Sequence, residues 1–76
     1  MKDDEIKLIE VIALNIRVAR ARKQLTQETL AEMAGISVKH VTKIENAQVT
    51  TSIYFIYRIA KALDVTIDEL VTEYKK

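Results

Sequence analysis

Lys39 and Lys43 lie four residues apart, follow Ser37, and have no acidic residue among them between Ser37 and Thr42. Four residues is the spacing that puts two side chains on one face of a helix, so the pair can meet a single anionic partner. His40 stands between them and is the chain's one histidine. With Ser37 it gives the bare elements of a nucleophile and its base, or of one metal ligand. Neither chemistry is completed, because no second ligand, acid partner or strand-turn-helix elbow accompanies it. The chain has no cysteine and a single glycine. Disulfides, iron–sulfur clusters, thiolate zinc sites and glycine-rich phosphate loops are therefore excluded. No catalytic residue, metal or cofactor is expected, and the chain does not read as an enzyme. The chemistry on offer is binding.

The formal net charge of +1 points only weakly to a polyanionic partner. Its distribution says more. Residues 1–10 carry −2, residues 11–24 carry +4, residues 25–36 carry −2, residues 37–46 carry +1, residues 47–61 carry +2 and residues 62–76 carry −2. Acidic ends around a basic middle allow one positive face on a nearly neutral molecule. The start Met1-Lys2-Asp3-Asp4-Glu5 is acidic where a signal peptide is basic, and no apolar run approaches the length of a membrane span. With the lack of cysteine, this fits a cytoplasmic location and no membrane partner.

The elements that position these residues are helices. The 76 residues include no proline, 49% of them are hydrophobic and 30% are charged, a globular rather than disordered balance. One domain over 1–76 is expected, all-α, with five helices. The first spans 5–23, with Ile6, Ile9, Ala13, Ile16 and Ala19 recurring at helical spacing and Leu8, Val11, Ile12 and Val18 widening the stripe. Thr26 caps a second over 27–34, with Leu30, Ala31 and Ala34 inward, and Gly35 ends it. Ser37 caps a third over 38–46 with Val41 and Ile44 inward. A polar loop over 46–51 follows. Thr51 or Ser52 opens a fourth over 52–63, whose apolar side holds Ile53, Ile56, Ile59, Ala60 and Leu63. Thr66 with Glu69 forms a capping box for a fifth over 67–74.

Within 27–45 the spacing becomes specific. Where two short helices cross over a tight turn, the first needs a small residue at the crossing, supplied by Ala31. Four residues on, a left-handed backbone is needed, and the only glycine, Gly35, stands there. Val41 and then Ile44 return branched side chains to the same core. Small, glycine, branched, branched at these intervals is what a helix-turn-helix requires.

The chain resembles the lambda-repressor/Cro-like (XRE-type) helix-turn-helix family over roughly residues 14–70. The matching residues are Ile16-Arg17, Arg20, LTQETLAEMAGIS from Leu25 to Ser37, Val41, Ile44-Glu45, and IAKALDVTIDEL from Ile59 to Leu70. The resemblance implies a transcriptional regulator of the repressor, controller-protein or antitoxin kind, binding a palindromic double-stranded operator as a homodimer. It implies that Gln27 bonds a phosphate beside the N–H groups opening its helix. It further implies that the recognition helix 38–45 enters the major groove, with Ser37, Val38, Lys39, His40, Thr42 and Lys43 at base edges and adjacent phosphates. Lysine can reach guanine O6 and N7, and valine a thymine methyl. Asn46, Gln48 and Thr50 meet the next phosphates. Arg20 pairs with Glu45. The family usually carries glycine at the place of Ala47 and proline at that of Thr51, which allows the loop another shape. Either Ala47 or Asn46 then holds its left-handed position.

Outside this motif the two lysines would read as a solvated helix face, and the fold could serve as a protein-interaction module without DNA. Acidic or bulky apolar residues at positions 39, 40 and 43 would favour that alternative, and they are absent. A chain this short buries roughly 60% of its unfolded surface, so a second subunit would help it. Tyr54, Phe55 and Tyr57, with the fifth helix around Leu70 and Tyr74, are the candidate interface, and the surplus apolar face of the first helix is the alternative.

Overall fold

The computed structural model describes residues 2–73, which form five helices: α1 (Asp3–Arg22), α2 (Gln27–Ala34), α3 (Val38–Glu45), α4 (Ile53–Leu63) and α5 (Ile67–Val71). Each start has a local cause. Thr26, Ser37, Ser52 and Thr66 are extended N-caps whose hydroxyls accept the N–H of Thr29, His40, Phe55 and Glu69. These bonds satisfy donors that a helix start leaves without a partner. Lys2 gives α1 no side-chain cap, but Asp3, Asp4 and Glu5 open that helix and Arg20 and Arg22 close it. Both charge clusters suit the helix dipole.

The four longer helices stop in one way. Gln24, Gly35, Ala47 and Asp64 all have positive φ, between 56° and 72°. In each stop the left-handed residue donates to a carbonyl three residues back, and its successor to one five residues back. The pairs are Gln24 to Ala21 with Leu25 to Arg20, Gly35 to Glu32 with Ile36 to Ala31, Ala47 to Ile44 with Gln48 to Lys43, and Asp64 to Lys61 with Val65 to Ala60. This is the Schellman arrangement. Leu25, Ile36 and Val65 then turn back onto the core, so three of these stops also bury a side chain.

Ile16, Leu30, Ile59, Leu63 and Leu70 are fully buried and draw all the helices but α3 together, while Val41 and Ile44 bring α3 in. Helix α2 packs on α3 and α4, and α1 packs on α3 and α5. The radius of gyration, 11.3 Å, matches the roughly 11 Å of a compact chain of this length. Among the residues expected inward, Ile6 is 41% exposed and Ile53 69% exposed. Both sit on first turns that run past the packed region, where helical period continues but no neighbour covers it. The fifth helix ends at Val71 rather than 74, and Leu70, offered to an interface, is 1% exposed and belongs to the core. Tyr74 lies outside the described residues.

Asn15 secures this last helix. Its Nδ2 donates to the carbonyls of Glu69 (3.2 Å), Leu70 (2.9 Å) and Thr72 (2.8 Å). These are C-terminal carbonyls that five residues of helix cannot satisfy internally.

Candidate nucleic-acid interface

Gly35 makes the turn between α2 and α3, with φ of +72°. Ala31 is 4% exposed at the crossing, and Val41 and Ile44 are buried beneath α3. One side of α3 is thereby fixed, and the other is offered outward. Ser37, Val38, Lys39 and Lys43 are exposed there, with no acidic residue in the first turn and Lys43 in the last. Among the described residues, neither lysine has an ion pair. The exposed face is cationic and free to meet an anion.

Beneath it runs a polar network. Arg20 Nε lies 2.7 Å from Glu45 Oε2 and Arg20 Nη2 lies 3.0 Å from Oε1, while Nη1 donates to the Leu25 carbonyl at 2.8 Å. Glu45 is the one buried charged residue of the described chain, at 2% exposure. A bidentate guanidinium is the partner that a buried carboxylate needs. Glu45 Oε1 also accepts from Gln27 Nε2 at 3.0 Å, and Gln27 Oε1 accepts from the Thr42 hydroxyl at 2.8 Å. The pairing of Arg20 with Glu45, implied by the resemblance, is thus present. The bonds from Gln27 and Thr42 had no signal in the sequence, because two half-buried polar residues on different helices give none.

Four other candidate residues lie apart from this face. His40 is half-buried, with Nε2 3.0 Å from Thr51 Oγ1 and its ring edge-on to Phe55 at 5.3 Å. It ties α3 to the start of α4. Asn46 and Gln48, like Thr50, are exposed on the loop after α3, where Ala47 and not Asn46 takes the left-handed turn.

Arg58, which carried no expectation, closes the other end of α2. Its Nε donates to the Ala34 carbonyl, its Nη1 donates to Tyr54 Oη at 2.7 Å, and its guanidinium lies 5.5 Å from the Tyr54 ring centroid. Beside it, Met33, Tyr54, Tyr57, Lys61 and Ala62 line an open groove, with Ile53 exposed nearby. Among the described residues, no helix is long and apolar enough to cross a membrane.

The comparisons with known proteins agree with this geometry. The helix-turn-helix family matches residues 16–70. The chain is 30% identical to the control protein C.SmaI of Serratia marcescens over 63 residues, covering 83% of this chain and 75% of that protein. Among solved structures it is similar to the hypothetical transcription factor NHTF from Neisseria, with TM-score 0.84, 30% identity, and coverage of 87% of this chain and 76% of that one. It is also similar to the restriction-modification controller protein C.AhdI from Aeromonas hydrophila, with TM-score 0.79, 34% identity, and coverage of 82% and 94% respectively. On its α2–α3 pair and on these matches together, the chain belongs to the XRE-type helix-turn-helix family of DNA-binding transcription regulators.

Proposed function

We propose that this protein regulates transcription by binding a palindromic double-stranded operator as a homodimer, with α3 in the major groove of each half-site. The carrying observation is the two-sided character of α3. Val41, Ile44 and Glu45 hold one side in the core, while Val38, Lys39 and Lys43 stand exposed on the other. A helix held this way can enter a groove without losing any contact that folds the protein. Lys39 and Lys43 are the proposed base readers, Val38 the contact for a thymine methyl, and Ser37 a contact at the helix start. Gln27, Asn46, Gln48 and Thr50 are proposed to meet the sugar-phosphate backbone, and to set register without selecting sequence. The likeness to two controller proteins supports a regulatory role.

Selection from a random duplex library, followed by binding matrices for Lys39→Ala and Lys43→Ala at fixed salt, tests the proposal. Two half-sites with centres about 10 base pairs apart are expected. A lysine that reads guanine loses about 1–3 kcal/mol on the preferred site and relaxes one base pair per half-site. A lysine that meets only phosphate weakens all sequences alike and flattens the salt dependence. Unchanged affinity and selectivity in both variants would take α3 out of the groove.

A further inference from the structure

Glu45 imposes a direction on the polar network. An ionised carboxylate accepts and cannot donate. The Gln27 atom 3.0 Å from Glu45 Oε1 is therefore its amide nitrogen, which leaves the amide oxygen facing Thr42. That oxygen can only accept, so the Thr42 hydroxyl 2.8 Å away donates to it. Every bond in the series now has one polarity: Thr42 donates to Gln27, Gln27 donates to Glu45, and Arg20 donates to Glu45 from the other side. Gln27 keeps one uncommitted group with a proton to give, the second hydrogen of Nε2.

From this arrangement we infer that Thr42 is a positioning residue for Gln27, holding its amide so that it presents an N–H rather than its carbonyl to a bound phosphate. The inference rests on the proposed contact of Gln27 with the DNA backbone and gives Thr42 a different task from the base readers. Thr42 is suited to it. It lies half-buried on α3, facing α2, and its hydroxyl has a second acceptor in the Val38 carbonyl at 3.0 Å. A hydroxyl turned inward to these two oxygens has no proton left for a base edge.

The test compares Thr42→Val, which keeps the branched shape, with Thr42→Ser, which keeps the hydroxyl. In the free protein, the Gln27 side-chain amide is followed by nitrogen-15 NMR. On DNA, affinity is measured at fixed salt for the selected duplex and for a random one. Thr42→Val is expected to move and broaden the Gln27 amide signals and weaken both duplexes alike, by about 3- to 10-fold, the range of one neutral hydrogen bond. Thr42→Ser is expected to restore both. Unmoved Gln27 signals in Thr42→Val would overturn the inference. So would a loss confined to one base pair of the selected duplex, which would make Thr42 a reader. Freed Gln27 signals in a protein that binds neither duplex would uphold the positioning and overturn the DNA reading.

Discussion

Arg58 occupies the space that a Cβ on Gly35 would need, and reaches back from α4 to the Ala34 carbonyl at the end of α2. The turn of the motif is thus closed by a side chain that enters 23 residues later in the chain. Glycine is favoured at position 35 on two counts, its left-handed backbone and the guanidinium lying over it.

Gly35→Ala should cost more than the roughly 1 kcal/mol of a left-handed alanine, because the Arg58 cap must also move. In an Arg58→Met background the same change should cost only the backbone part. Equal losses in the two backgrounds, read by urea denaturation, would separate the two residues.

Glu45→Ala leaves Arg20 without its carboxylate and Gln27 without its acceptor. Breaking a buried pair costs about 3–5 kcal/mol. The lower end is expected, because the Arg20 side chain is 23% exposed and keeps the Leu25 carbonyl. A fall in Tm of roughly 15 °C follows for a domain of this size. A fall of one or two degrees would show the pair to be no more than a surface contact.

Ala47 has φ of 56° and carries a Cβ that this conformation disfavours. Ala47→Gly should stabilise the fold by about 0.5–1 kcal/mol, after the greater entropy of unfolded glycine is deducted. Thermal melts of the two proteins decide it, and a lower Tm for the glycine variant would refute the strain.

Ile53, Tyr54 and Tyr57 are 69%, 56% and 48% exposed and share the start of α4. This group of exposed apolar side chains is the candidate surface for the proposed dimer. If it joins the proposed dimer, Ile53→Ser with Tyr57→Ser should sediment as a monomer at tens of micromolar with an unchanged helical spectrum. A wild-type monomer under those conditions, with or without DNA, would remove the dimer. The unaltered dimer in the double variant would move the interface to α1.

What the sequence makes legible is local. Thr26, Ser37 and Thr66 announce their helices because a cap acts within three residues, and Gly35 announces its turn because no other residue adopts it so freely. Val41 and Ile44 follow from the spacing of the motif. The limits of the core do not. Ile6 and Ile53 keep the helical period of their buried neighbours, and only a packed neighbour decides whether such a residue is covered. Gln24 and Asp64 stop helices without glycine; aspartate tolerates the left-handed region better than most residues, but nothing in the identity of Gln24 distinguishes it from an ordinary surface residue. His40 illustrates the same limit at the site. The resemblance implies a DNA contact for it, and no sequence signal announces that its ring meets Thr51 and Phe55 across the start of α4.

The Asn15 amide joins parts of the chain 54 to 57 residues apart, whereas the bonds between Gln27, Thr42 and Glu45 span 15 and 18. Closing a long loop costs more chain entropy than closing a short one, so the α2–α3 pair can form before α1 and α5 meet. On this order the α2–α3 pair assembles first and the two ends of the domain close over it last. Contacts made after the folding barrier affect escape from the native state rather than entry into it. Asn15→Ala should therefore speed unfolding and leave the folding rate nearly unchanged in a stopped-flow chevron. A slowed folding arm would instead place the α1–α5 clasp within the nucleus. If the clasp does close late, the durability of this protein depends on Asn15, whose bonds join α1 to the end of α5 and share no partner with Gln27, Thr42 and Glu45.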